Sequence, residues 1–77
     1  MANWKMNGSF QMVSDLMPAV LGYEMPLITT VICPPAVYLH SIVGKLGRSG
    51  LSAGGQNCAP YKAGAFTGEV SPHMLKD

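Results

Sequence analysis

The chain has 77 residues, of which 48% are hydrophobic and only 12% are charged, so it forms one domain at most. A chain of this size buries about 60% of the surface that it exposes when unfolded, which makes an isolated domain marginal without cross-links or partners. Five cations and four acids give a net charge of +1 with no basic stripe, which argues against nucleic-acid binding.

The first predicted elements are the tail of a strand over residues 1–6 and a helix over residues 9–21. Ser9 is the expected N-cap, because its hydroxyl can accept an N–H of the first helical turn. Pro18 falls inside the helix and lacks an N–H for the helical hydrogen bonds, so we expect a kink or an early end there. Apolar residues recur at helical spacing, namely Val13, Leu16, Met17 and Val20.

A buried, parallel strand is predicted over residues 27–32, because this run is rich in β-branched side chains and lacks polar alternation. Pro34 and Pro35 end the strand. A second helix is predicted over residues 35–46, and Gly47 is placed to cap its C-terminus. The apolar face of that helix consists of Leu39, Ile42, Val43 and Leu46.

A weaker third strand is predicted over residues 51–56, whose glycines leave room for another backbone or a ligand to approach. Residues 57–70 follow without helical or strand periodicity, and loops of this length are usually functional or disordered. Ser71 and Pro72 have the N-cap and first-position signature of a third helix. Strands that alternate with helices predict parallel pairing with right-handed crossovers, and therefore an α/β fold or part of one.

Asn3 and Lys5 are the sharpest candidates for ligand contact. Residues just past the carboxyl end of a parallel strand are where barrel enzymes place the groups that handle their ligands. Because they are two residues apart, the two side chains point to the same side if the strand continues that far. From the residues alone, the alternative is a turn-forming asparagine beside an ordinary surface lysine.

Two motifs resemble triosephosphate isomerase: Asn-Trp-Lys-Met-Asn-Gly over residues 3–8 and Gly-Ala-Phe-Thr-Gly-Glu over residues 64–69. Residues 33–39 match the family's second strand-to-helix junction. Residues 56–57 match its third strand, and residues 74–77 match the start of its third helix. The resemblance spans essentially the whole chain, apart from a somewhat shorter connection between the first helix and the second strand, over residues 18–27.

The resemblance implies an α/β fold that is part of a TIM (β/α)8 barrel, with about three parallel strands and two to three helices. A complete barrel needs roughly 250 residues, so residues 1–77 are expected to be an amino-terminal part that is incomplete as a domain. An open fragment of this kind leaves strand edges unpaired and invites association.

The activity implied by the resemblance is the interconversion of dihydroxyacetone phosphate and glyceraldehyde 3-phosphate, in glycolysis and gluconeogenesis, with neither a metal nor an organic cofactor. Asn3 and Lys5 would bind the triose phosphate, and Lys5 would be the catalytic cation that offsets developing negative charge. In the family, the catalytic histidine and glutamate lie downstream of the matched region. His40 and His73 are expected to be exposed helix residues that replace neither, so we expect the chain by itself to be inactive.

The resemblance also implies a homodimer, in which the loop over residues 57–70 enters the neighbouring subunit. Phe66, Thr67 and Glu69 would lie at this interface, where the threonine would meet the neighbour's asparagine and lysine. Met6 would lie against the intruding loop. From the residues alone, the alternative is that the aromatic ring of Phe66 folds back on its own loop.

Cysteine usage predicts a reducing compartment and hence the cytoplasm, because Cys33 and Cys58 lack the spacing of a zinc site or a disulfide framework. No apolar run approaches the ~20 residues of a membrane span, so no membrane partner is expected. Two other functions remain open. One is a catalytically inactive fragment that self-associates through the loop 57–70. The other is a small phosphate-binding protein that uses Lys5 and backbone amides, although no glycine-rich phosphate motif is present.

Overall fold

A computed structural model of the chain describes residues 1–22, 28–47 and 49–77. Within these residues, three parallel strands form one sheet in the order β1, β2, β3, and helices alternate with them along the chain. The strands are β1 (Ala2–Asn3), β2 (Val31–Cys33) and β3 (Ser52–Ala53), and the helices are α1 (Phe10–Leu21), α2 (Ala36–Leu46) and α3 (Pro72–Lys76). The predicted α/β fold, an open part of a barrel, is confirmed.

The strand register brings the carboxyl ends of all three strands to one edge of the sheet. Ala2 pairs with Ile32, and Ile32 pairs with Ala53 on its other side. Just beyond β1, the Trp4 N–H donates to the Cys33 carbonyl at 3.0 Å, so the backbone of the first connection begins against the end of β2. This common edge is where a parallel α/β sheet places its ligands.

The hydrophobic core lies where α1 and α2 pack together and against the sheet. Val13 and Met17, one turn apart on α1, are fully buried, and so is Ile42 on α2. Trp4 and Tyr38 are partly buried and pack against this cluster. Its buried members are Val13, Met17, Ile32, Ile42, Leu46 and Leu51.

The first helix agrees with its predicted start. Ser9 is the N-cap, and its hydroxyl accepts the Met12 N–H at 3.0 Å. Val13 and Met17 occupy the buried face as predicted, whereas Leu16 is exposed. The apolar stripe is therefore narrower than the sequence pattern indicates.

Of the two outcomes expected at Pro18, the early end is wrong, because α1 continues past it to Leu21 and is closed by Gly22, whereas the kink stays a prediction. Pro18 lies on the exposed side of the helix, so the hydrogen bond that it lacks faces solvent. Met17 is buried beside it and anchors the helix in the core. Tertiary packing on one face thus outweighs the local cost of proline on the other.

We expect Pro18→Ala to stabilise the chain. Alanine restores the helical N–H and removes the ring clash, whose cost inside a helix is up to about 3 kcal/mol. The measurement is the urea midpoint followed by circular dichroism. Pro60→Ala, at an exposed position in the loop 57–70, is the matched control and should leave the midpoint unchanged or lower it. A lower midpoint for Pro18→Ala would contradict the prediction.

The predicted second strand is shorter than expected. Pairing begins at Val31 and ends at Cys33, and Ile28 is 60% exposed, so the apolar run is not buried throughout. β1 and β3 each contribute only two paired residues, which limits the length over which β2 can be held between them. Residues 23–27, which contain the predicted start of this strand and half of the connection that departs from the family pattern, lie outside the described residues.

The second helix begins at Ala36, one residue later than predicted, and Gly47 caps it with a φ of 56°. This left-handed conformation costs glycine little, which explains its use as a helix stop. Ile42 is buried, but Val43 on the predicted apolar face is 56% exposed. Among the described helices, none is long and apolar enough to cross a membrane.

The third strand is reduced from the predicted residues 51–56 to two residues, and the third helix begins as predicted after Ser71. The Ser71 hydroxyl accepts the Met74 N–H at 3.2 Å. A Cβ added to Gly55 would lie 2.9 Å from a δ-carbon of Leu75. The room that was expected there for another backbone or a ligand is therefore filled by the chain's own third helix.

Candidate functional site

The strand-end turn, residues 4–9, leaves the sheet between β1 and α1 and carries Lys5. The Lys5 N–H donates to Oδ1 of Asn3 at 2.8 Å. Lys5 has a φ of 56°, in the left-handed region that residues other than glycine rarely adopt. Asn3 and Lys5 were expected to point to the same side if the strand continued to Lys5. The strand ends at Asn3, so strand alternation does not relate their side chains. A side-chain hydrogen bond links the two residues instead.

Gln56 holds the same turn from the other side. Its Nε2 donates to the Lys5 carbonyl at 2.8 Å and to the Cys33 carbonyl at 2.9 Å. One amide group from the connection after β3 thus ties together the ends of the other two strands. The predicted site residues do not include Gln56, although its position at the carboxyl end of the predicted third strand, the edge that Asn3 also occupies, was a usable signal.

The two hydrogen bonds explain how Lys5 keeps an unfavourable backbone conformation. A left-handed backbone at a residue with a side chain costs on the order of 1–3 kcal/mol and persists only where its surroundings hold it. Here the N–H of Lys5 is bound by Asn3 and the carbonyl by Gln56. Strain supported in this way is common at ligand-binding sites, and it fixes the point from which the lysine side chain extends.

We expect Gln56→Leu to destabilise the chain by about 1–3 kcal/mol, because it removes the donor of two hydrogen bonds while keeping a similar volume. The urea midpoint measures the loss, and the NMR signal of the Lys5 amide should move with it. Gln11→Leu is the matched control, since the Gln11 amide donates at 2.9 Å to Asp15 on the exposed face of α1. That pair should contribute less than about 0.5 kcal/mol. Equal losses for the two variants would contradict the role of Gln56.

The loop 57–70 is held in shape by contacts between its own residues. The Ala59 N–H donates to the Val70 carbonyl at 2.8 Å and closes its base. The rings of Tyr61 and Phe66 are stacked, with centroids 4.5 Å apart and planes at 2°. A Cβ on Gly64 would lie 2.7 Å from the Phe66 ring, so the ring lies directly over that glycine. In the single chain, Phe66 therefore folds back on its own loop, while 43% of it stays exposed.

The predicted interface residues are all exposed in the single chain. Met6 is 96% exposed, and Thr67 and Glu69 lie at the surface of the loop 57–70. Across the described residues, no hydrogen bond, ion pair or ring contact links residues 3–6 to residues 66–69. One chain does not bring these two groups together, so their contact across a subunit boundary stays a prediction.

An apolar recess, here called the Met6 recess, opens beside the strand-end turn. Its volume is about 180 Å³. Val37, at its edge, is 67% exposed. The residues around the recess are Met6, Asn7, Gly8, Pro35, Val37 and Tyr38. Exposed apolar side chains around a concave surface favour contact with another protein.

The histidine and cysteine side chains are the other groups that could carry chemistry. His40 and His73 are exposed residues of α2 and α3, as predicted. Cys33 is buried, Cys58 is exposed, and both are free thiols. Within the described residues, no three histidine, cysteine, aspartate or glutamate side chains are grouped so that they could hold a metal ion.

Comparison with known proteins gives one consistent family. The model of the family Triosephosphate isomerase matches residues 1–77. The triosephosphate isomerase of Xanthobacter autotrophicus is 44% identical over 78 residues, which cover 97% of this chain. That of Sodalis glossinidius is 45% identical over 80 residues and all of this chain, and that of Alkalilimnicola ehrlichii is 39% identical over 80 residues and 97% of it.

The matched region is a limited part of these relatives. The chain spans 31% of the length of the first two and 30% of the third. Within that part, the match includes the strand-end turn, the sheet edge and the loop 57–70, the features from which the candidate site is built. The chain belongs to the triosephosphate isomerase family.

Proposed function

We propose that this chain is the amino-terminal part of a triosephosphate isomerase, in which Asn3 and Lys5 bind the triose phosphate. The observation that carries the proposal is the left-handed Lys5 at the carboxyl edge of a parallel sheet, held on both sides by side-chain hydrogen bonds. A preorganised cation at this edge matches the place and the charge that phosphate binding requires.

The proposed reaction interconverts dihydroxyacetone phosphate and glyceraldehyde 3-phosphate by proton transfer through an enediolate. The Lys5 ammonium would offset the phosphate charge and the negative charge that develops on the enediolate oxygens. The side-chain oxygen Oδ1 of Asn3 accepts the Lys5 N–H, which leaves the side-chain nitrogen Nδ2 of Asn3 available to donate to a substrate oxygen.

A cation and an amide stabilise charge, but they do not remove a proton from carbon. We infer that residues 1–77 are an incomplete domain and that the chain by itself is inactive. His40 and His73 are exposed helix residues, and Glu69 lies in the loop 57–70. The described hydrogen bonds do not connect any of these three groups to the strand-end turn, which supports the inference.

A chimera tests the proposed activity. Residues 1–77 replace the matching segment of the Xanthobacter autotrophicus enzyme, and isomerisation of dihydroxyacetone phosphate is measured in an assay that detects the aldehyde product. We expect the chimera to catalyse the isomerisation and the 77-residue chain alone to be inactive. A well-folded chimera without activity would refute the proposed function. Turnover by the chain alone, abolished by Lys5→Ala, would refute only the inferred inactivity.

We also infer a homodimer in which the loop 57–70 enters the Met6 recess of a second copy. Phe66 retains exposed aromatic surface, and the recess is apolar and open beside the strand-end turn. The stack on Tyr61 presets the position of the Phe66 ring, which lowers the entropy lost on binding. Such a contact would place the loop of one copy next to Lys5 of the other.

Phe66→Asp in the chimera should weaken the dimer at least about tenfold, because buried aromatic residues supply much of the binding energy of interfaces. Light scattering across a dilution series measures the dissociation constant. Val43→Asp makes the same kind of change on the exposed surface of α2, outside the recess, and should leave the dimer intact. Equal weakening by both variants would contradict docking of the loop into the recess.

The proposed cellular location is the cytoplasm. Cys33 and Cys58 are both free rather than paired, which supports a reducing compartment. Expression of the tagged protein followed by fractionation would test this placement.

A further inference from the structure

We propose that Tyr38 is a positioning residue for the strand-end turn, an inference that rests on the proposed role of that turn in substrate binding. Tyr38 lies 33 positions after Lys5 in the sequence, in the first turn of α2. Its ring and hydroxyl hold the far end of the turn, and Gln56 holds the end at Lys5.

Tyr38 makes two contacts with Gly8 of the turn and one with Phe10, the first residue of α1. The Tyr38 hydroxyl donates to the Gly8 carbonyl at 3.1 Å. The rings of Tyr38 and Phe10 meet edge to face, with centroids 5.1 Å apart and planes at 86°. A Cβ on Gly8 would lie 2.9 Å from Cε2 of Tyr38, and Gly8 has a φ of 148°. The ring therefore lies directly against backbone that only glycine fits.

In the part of the chain that the structure describes, the bond from the Tyr38 hydroxyl to the Gly8 carbonyl is the one tertiary hydrogen bond that reaches residues 6–9. Asn7 donates from Nδ2 to the Trp4 carbonyl at 3.0 Å, which is a bond within the turn. Ser9 is bonded to the first turn of α1 alone. Between Lys5 and the start of α1, the turn is thus anchored to the rest of the fold through Tyr38.

The helix that carries Tyr38 is itself firmly placed. Ile42, one turn further along α2, is fully buried in the core, and the Tyr38 N–H donates to the Pro35 carbonyl at 3.0 Å. Tyr38 therefore fixes Gly8 relative to the core, and Gln56 fixes Lys5 relative to β3. Together they restrict the turn at two points on either side of the exposed Met6.

Amide hydrogen exchange of the 77-residue chain, measured by NMR, tests the proposal with Tyr38→Phe. This variant removes the hydroxyl and keeps the ring. We expect the Lys5 amide, which is bonded to Asn3, to exchange about 2- to 10-fold faster, the factor that corresponds to one lost hydrogen bond. The Ile42 amide reports on the core and should not change. Tyr61→Phe is the matched control, because the Tyr61 hydroxyl has no hydrogen bond to the described residues and its ring stacks on Phe66 in the loop 57–70.

The result that would overturn the proposal is an unchanged Lys5 amide, or an equal acceleration at Lys5 and Ile42, which would indicate a general loss of stability. If Tyr38→Phe does not fold, Phe10→Leu removes the ring contact and leaves the hydroxyl in place. It should accelerate the Lys5 amide selectively, and an unchanged Lys5 amide would again contradict the proposal.

Titration with inorganic phosphate, followed by the Lys5 signal, separates this inference from the proposed function. Weaker phosphate binding by Tyr38→Phe than by Tyr61→Phe would support both. If the unsubstituted chain binds no phosphate, substrate binding by this chain alone is refuted. Faster exchange of the Lys5 amide in Tyr38→Phe, without a change at Ile42, would then still establish that Tyr38 positions the turn.

Discussion

Lys5→Met in the chimeric isomerase is expected to lower kcat/KM by about 100- to 1,000-fold, the usual effect of removing one preorganised group that stabilises developing charge. Methionine keeps an unbranched side chain of similar length and loses only the cation. The measurement is the initial rate over a range of dihydroxyacetone phosphate concentrations. Because the group acts on both phosphate and enediolate, we expect KM to rise and kcat to fall.

Two further variants separate the charge of Lys5 from its backbone. Lys45→Met removes a lysine at the exposed end of α2 and should leave both kinetic constants unchanged. Lys5→Gly should lose activity like Lys5→Met, yet gain about 1 kcal/mol of stability, because glycine adopts a positive φ without strain. Activity retained by Lys5→Met would exclude the proposed role of the cation.

Ile42→Ala is expected to lower the free energy of unfolding by about 2–5 kcal/mol, the range for large-to-small substitutions at fully buried sites. Ile42 lies in the core cluster between α1, α2 and the sheet. Since a small open fragment has little stability to lose, this variant of the 77-residue chain should be largely unfolded at 25 °C. Far-ultraviolet circular dichroism and the urea midpoint measure the outcome.

Val43→Ala is the matched control for Ile42→Ala. It removes β-branched methyl groups from the next residue of the same helix, at a position that is 56% exposed. We expect it to change stability by less than about 1 kcal/mol. Ile42→Val should fall between the two, at about 0.5–1.5 kcal/mol. Similar losses at both positions would mean that the chain does not pack its core as described.

The elements that sequence patterns predicted well are those specified by neighbouring residues. Ser9 and Ser71 cap α1 and α3 with their own hydroxyls, and Gly47 ends α2 with a positive φ. Each of these signals acts over three or four residues, so no distant contact is needed to interpret it. The family motifs likewise lie along continuous stretches and identified the family directly.

The elements that were predicted poorly depend on partners far away in the sequence. The run that includes Ile28 has the composition of a strand, but the paired part is limited to Val31–Cys33, where Ile32 has partners in both β1 and β3. Pro18 signals a helix end, but burial of Met17 keeps α1 intact past it. Local propensity is worth tenths of a kcal/mol to about 3 kcal/mol per residue, and tertiary packing can exceed it.

The candidate site shows the same division. Asn3 and Lys5 are candidates from their place at and just past the end of a strand, and their contact with substrate stays a prediction, as does the interface role of Phe66 and Thr67. Gln56 and Tyr38 came from the structure, because each acts on the strand-end turn through a hydrogen bond that spans 51 and 30 residues of sequence, respectively.

By itself, the sequence determined the family, the alternation of strands and helices, the caps, and the asparagine and lysine at the end of β1. Only the tertiary structure decided where the strands end, that α1 continues through Pro18, and how Lys5 is kept in a left-handed conformation. The physical reason is the range of the interactions involved. Caps and periodicity act within a few residues, whereas sheet pairing, burial and the bonds from Gln56 and Tyr38 exist only after distant segments have come together.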